Sequence, residues 1–77
     1  MAQKIQFKIT NIKFAAEAKN IENYLKTEFQ NLYKNFYTQK DKKHNVTVHF
    51  SFKNDELLMK KLTDFFEKTY WKLELKE

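Results

Sequence analysis

Lysine is the residue type in this sequence with the numbers and clustering to do chemistry, and that chemistry is the neutralisation of anions. All fifteen basic residues are lysines. Lys40, Lys42 and Lys43 crowd one polar stretch, and Lys60, Lys61 and Lys68 recur along a segment of helical spacing. Lys4 and Lys8 alternate with apolar residues near the start. Such clusters suit phosphate neutralisation with counterion release, which is largely blind to base sequence. Groups for catalysis are sparse. His44 and His49 have no adjacent serine, cysteine or carboxylate, so His49 reads as a solvated side chain on a polar strand face rather than a general base. Two histidines without cysteine do not make a transition-metal site. A chain without glycine has no Gly-rich phosphate loop. No enzyme activity, metal, cofactor or small-molecule substrate is expected.

Size and composition narrow the class. Seventy-seven residues make one small domain, covering 1–77. A chain this short buries about 60–65% of its unfolded surface, so a bound partner would add needed stability. The absence of cysteine fits a reducing compartment. The net charge of +5 favours an anionic partner: nucleic acid, acidic protein or lipid surface. Lys, Asn, Phe, Ile and Tyr dominate, as an AT-rich genome imposes, so part of the lysine excess follows codon usage. No apolar run approaches the roughly eighteen residues needed to span a bilayer. The first residues are charged and lack the apolar core of a secretory signal. A cytoplasmic protein with no membrane partner is expected.

The elements that would position the lysines follow from periodicity. Ile5, Phe7 and Ile9 alternate with Lys4, Gln6, Lys8 and Thr10, a strand with one buried face. The apolar register then slips by one to Ile12 and Phe14, which calls for a bulge or strand end near Asn11. Phe14, Ala18, Ile21, Leu25, Phe29, Leu32 and Phe36 step by three and four, predicting one long helix over residues 15–37 flanked by Tyr24, Tyr33 and Tyr37. Residues 38–45 have no periodicity and read as a loop, with Asp41 and Asn45 as its turn residues. Val46, Val48, Phe50 and Phe52 form a second alternating strand. Asn54 is the expected N-cap of a second helix, with Asp55 and Glu56 complementing its dipole, Leu58, Leu62, Phe65 and Thr69 as its inner stripe, and Met59 and Phe66 widening it. Trp71, Leu73 and Leu75 give a closing strand.

The resulting fold class is α+β, a small two-layer sandwich in the order strand, helix, strand, helix, strand. Both helices cover one face of a three-stranded sheet. The open face would carry Lys4, Gln6, Lys8, Thr47, His49, Ser51, Lys72 and Glu74, and so be polar, net basic and free of aromatics. A base-stacking platform of the common RNA-recognition type needs aromatics there. The Phe and Tyr stripe therefore reads as core, with the exposed tyrosines Tyr24, Tyr33 and Tyr37 left as weak stacking candidates.

A resemblance adds to this. Met59-Lys60-Lys61-Leu62-Thr63, then Phe66 and Lys68, resembles the L-K-Y-L-T-K-K-Y-L-K-K helix of the eukaryotic large-subunit ribosomal protein twenty-two family. There too the helix follows a V-T-V-type strand, as VTVHF does here, and residues 18–25 (AKNIENYL) are similar to the family's A-A-S-F-E-K-F-L helix. The resemblance implies a structural constituent of the large ribosomal subunit. Its partners would be ribosomal RNA and neighbouring ribosomal proteins, with Lys60 and Lys68 on lysines that face RNA. Lys61, Lys40, Lys42, Lys43, Lys4 and Lys8 complete the expected RNA-binding set. The sequence departs from the family at Asp64 and Phe65, where lysines would stand, and lacks its final Tyr-rich strand. It would fit a shortened version from a reduced, AT-rich genome of the microsporidian-like kind. The rival expectation is a small phage- or plasmid-type protein that binds and inhibits a host protein.

Overall fold

The computed structural model describes residues 4–76. Along them run β1 (Lys4–Ile12), α1 (Ala15–Glu28), β2 (Tyr33–Lys40), β3 (Val46–Lys53), α2 (Glu56–Glu67) and β4 (Lys72–Leu75). The strands form one sheet in the order β2-β3-β1-β4, and each neighbouring pair is antiparallel. A β-α-β-β-α-β chain with β3 inserted between β1 and β2 has the split β-α-β arrangement termed ferredoxin-like.

The α+β class holds, with two helices and an antiparallel sheet, but the sheet has four strands rather than three. The difference lies between residues 29 and 40. The expected helix over 15–37 stops at Glu28, where Phe29 caps it and its N–H bonds Leu25 O. Gln30 then takes φ 42°, and a single 3-10 turn, Gln30–Leu32, redirects the chain into β2. A helix of 14 residues is about 21 Å long, already enough to cross the sheet. The spacing of the aromatics disguised the strand. β2 is bulged between Lys34 and Tyr37, with Asn35 at φ 58°. The bulge turns Tyr33 and Phe36 to the same inner face, so a strand shows the i,i+3 spacing of a helix. Tyr, Phe and Thr are strand formers, and that propensity was the better signal here.

The remaining differences are small. β1 bulges between Ile9 and Ile12, with Asn11 at φ 64°, as the slipped register requires. The N-cap of α2 is Asp55, one residue later than Asn54, and its carboxylate accepts the N–H groups of Leu57 at 3.0 Å and Leu58 at 3.2 Å. The expected loop over 38–45 shortens, because residues 38–40 belong to β2. In the remaining turn Asp41 accepts the N–H groups of Lys43 at 2.8 Å and Asn45 at 2.9 Å, and His44 rather than Asn45 takes the left-handed conformation.

Both helices lie on one face of the sheet. Phe7, Ile9, Val48, Phe50 and Phe52 meet Ala18, Ile21 and Leu25 of α1, Phe29, and Leu62 and Phe66 of α2 in one core. Phe29 meets Phe52 edge to face at 5.1 Å, and Tyr24 of α1 stacks on Phe65 of α2 at 3.6 Å. Of the expected stripe, Ala18, Ile21, Leu25 and Phe29 are core, Leu32 and Phe36 pack against its edge, and Phe14 is 68% exposed because it stands ahead of the first turn of α1. With the helices committed to that face, the other side of the sheet stays open.

Candidate nucleic-acid interface

Strand alternation decides what the open face carries. From β1 come Lys4, Gln6, Lys8 and Thr10, and from β3 their cross-strand partners Lys53, Ser51 and His49. β4 adds Lys72 and Glu74, opposite Thr10 and Lys8. β2 adds Lys34, Tyr37 and Gln39, opposite Ser51, His49 and Thr47. Lys76 follows β4 directly, its N–H bonding Gln6 O at 2.8 Å. Glu74 is the one acid on this face among the described residues, and its Oε2 accepts the Thr10 hydroxyl at 2.8 Å. The helical layer is different. Glu17, Glu22, Glu28, Asp55, Glu56, Asp64 and Glu67 there stand against Lys19, Lys26, Lys60, Lys61 and Lys68. The positive charge of the chain thus collects on the sheet.

The lysines singled out from sequence fall in three places. Lys4 and Lys8 are on the open face. Lys60 and Lys61 are exposed on α2, and Lys68 caps its C-terminus, all on the helical layer. Lys40 ends β2, and Lys42 and Lys43 stand in the turn at one end of the sheet. The structure does not join these into one surface. Lys34, Lys53 and Lys76 extend the open-face group and were missed. For Lys34 the reason is the misread of β2.

The centre of the face holds an aromatic after all. Tyr37 stacks on His49 with ring centroids 4.6 Å apart and planes 14° from parallel. His49 is consequently only 7% exposed although it points away from the core. It is a covered side chain, not the solvated one expected. Its Nε2 lies 3.0 Å from Gln39 Oε1, an arrangement that puts the proton on Nε2 and leaves Nδ1 a bare acceptor. Nδ1 is buried and has no hydrogen-bond partner among the described residues. Burial, and then the nearby charges of Lys76 and Lys8, hold the imidazole below its ordinary pKa. The ring is neutral at pH 7. Lys76 Nζ donates to the Tyr37 hydroxyl at 3.1 Å and lies 5.6 Å from its ring centroid. Beside this group lies a cleft of about 190 Å³, bordered by Gln6, Asn35, Tyr37, His49, Ser51 and Lys76. No strand periodicity pointed to Tyr37; the run YKNFYTQK, rich in strand formers, was the available signal.

No group of three or more His, Cys, Asp or Glu among the described residues could hold a metal ion. None of their helices is long and apolar enough to cross a membrane. The class that fold and site define is an α+β domain of ferredoxin-like arrangement with an open, lysine-rich sheet face. Comparison with protein-family models, curated proteins and solved structures finds no match to this chain.

Proposed function

We propose that this protein is a non-catalytic RNA-binding module and, more specifically, a structural constituent of the large ribosomal subunit that holds ribosomal RNA through lysine–phosphate contacts. The observation that carries the RNA reading is the segregation of charge. Among the described residues, Lys4, Lys8, Lys34, Lys53, Lys72 and Lys76 share the open sheet face with a single acid, while acids predominate on the helices. A sheet is a stiff platform, and lysines at fixed cross-strand spacing can meet successive phosphates without losing backbone freedom. The ribosomal part of the reading rests on the α2 and α1 motifs that resemble the family. Lys60, Lys61 and Lys68 would then be a second, weaker contact from the helical layer.

The test is co-sedimentation with large ribosomal subunits at low salt, followed by a salt wash. A ribosomal constituent rides with the subunit and is released as salt rises, because bound lysines release counterions from the RNA. Failure to sediment, with specific capture of a single host protein instead, would replace this reading with that of an inhibitor.

A further inference from the structure

We propose that the outward face of Tyr37 and the cleft beside it take one unstacked nucleobase of single-stranded RNA. This deepens the RNA-binding reading and rests on it. Tyr37 lies against His49 on one side, yet remains 48% exposed, so its free surface includes the ring face turned from the imidazole. The ring is held from two directions. His49 supports it from beneath, and Lys76 Nζ, from the far edge of the sheet, holds its hydroxyl at 3.1 Å. An aromatic ring fixed flat and open on one face is what an unpaired base stacks on.

The cleft decides between a base and a bare phosphate. Lys76 is the only lysine bordering it; Gln6, Asn35 and Ser51 supply two carboxamides and a hydroxyl. These side chains both donate and accept, which matches the mixed edge of a base. A phosphate would be better served by donors alone. The site also has a bounded size, about 190 Å³, suited to one base and not to a helix. Lys8, Lys34 and Lys72 stand around it on the same face, placed for the flanking phosphates. A duplex keeps its bases stacked inside, so this centre distinguishes single strands from double strands while the surrounding lysines do not.

The experiment is fluorescence anisotropy with labelled eight-nucleotide RNA single strands and the matching duplex, from 50 to 200 mM salt (~50–200 mM is the range over which phosphate contacts are read). Tyr37→Ala should weaken single-strand binding about 5- to 150-fold, the loss expected for one base–aromatic stack. Tyr37→Leu, which still covers His49 but has no π-face, should lose similarly, and Tyr37→Phe should keep most of the affinity. The slope of log affinity against log salt should be unchanged in all three, and duplex binding should be indifferent to them. Single-strand binding that depends on Lys8 and Lys72 but ignores Tyr37→Ala and Tyr37→Leu would overturn the base site and leave the RNA reading standing. No RNA binding by the wild-type chain would overturn both.

Discussion

The carboxylate of Glu17, in the first turn of α1, accepts the indole N–H of Trp71, just ahead of β4, at 3.1 Å. The same carboxylate, through Oε1, accepts the backbone N–H groups of Lys13 at 2.8 Å and Phe14 at 2.9 Å. Glu17 therefore does two things. It satisfies donors at the N-terminus of α1, and it ties residues 54 positions apart. Burial alone would raise its pKa. The hydrogen bonds from Phe14, Lys13 and Trp71 and the charge of Lys13 reverse this and hold it below the ordinary carboxylate value.

Trp71→Phe keeps an aromatic ring against the core and, besides trimming the indole, removes the donor of this hydrogen bond, whose loss sets the scale. It should cost about 0.5–1.5 kcal/mol, lowering Tm by several degrees in a domain of this size. Glu17→Gln should cost more, since its amide keeps one oxygen for the two backbone donors but turns an NH2 toward the indole N–H and removes the charge from the remaining bonds. Because the folded carboxyl titrates below the unfolded one, its contribution is present above pH 4.5, the ordinary value, and fades as pH falls further. Thermal melts of wild type and Glu17→Gln should converge on acidification. Parallel curves down to pH 3 would remove Glu17 from the account.

His49 predicts a second pH dependence at a higher range. Its folded pKa is below 6.5, so the unfolded chain takes up its proton first as the solution is acidified. Stability should therefore be full above about pH 6.5 and decline as pH falls toward 5. The groups facing the ring are Tyr37, Gln39, Lys76 and Lys8. His49→Gln should flatten the profile between pH 7 and 5, measured by urea midpoints. A profile equally steep in the variant would mean that another group carries it.

The core ranks its residues by burial. Leu62 of α2 is fully buried, so Leu62→Ala should cost about 2–5 kcal/mol and threaten folding altogether. Phe65 is only half-buried and stacks on Tyr24 between the helices, so Phe65→Ala should cost less than Phe66→Ala. Denaturant melts of the three variants give the order directly. A larger loss at Phe65 than at Phe66 would mean the two positions of the stripe are misassigned.

These ranks show how much could be read without coordinates. β1, β3, β4 and α2 are plain in the alternation of Ile5-Phe7-Ile9, Val46-Val48-Phe50-Phe52 and Leu73-Leu75, and in the stripe through Leu58 and Leu62, although the spacing favours Phe65 where Phe66 is the buried residue. Even the slip at Asn11 was readable, since an odd spacing between inward residues has few solutions. β2 was not. Its inner residues Tyr33 and Phe36 continue the spacing of α1, and the alternation that marks a strand is broken at Asn35. With β2 went Tyr37, and with Tyr37 the understanding that His49 is covered. A single bulge thus hid the middle of the candidate site, while its lysine border remained partly visible at Lys4, Lys8 and Lys72.

The two basic surfaces can be separated by charge removal. Changing Lys8, Lys34 and Lys72 together to Gln should reduce the slope of log RNA affinity against log salt by about 2–3, one contact each. The triple change of Lys60, Lys61 and Lys68 should reduce it less. Anisotropy titrations at several salt concentrations read both. The opposite order would move the interface to α2 and the helical layer.

The bulge at Asn35 has an effect at the rim of the molecule too. β2 is an edge strand, and an edge offers unpaired backbone N–H and C=O groups to any second chain that lies alongside. A regular, flat β2 would invite growth of the sheet from molecule to molecule. Asn35 breaks the ladder at mid-strand and twists the edge, and Lys34 and Lys40 set charge on either side of the break. In a chain with 17% aromatic residues and no proline to spare for the purpose, this irregularity is a guard against aggregation. Straightening β2 by deleting Asn35 should restore a continuous edge ladder and raise the tendency of one molecule to pair with the next.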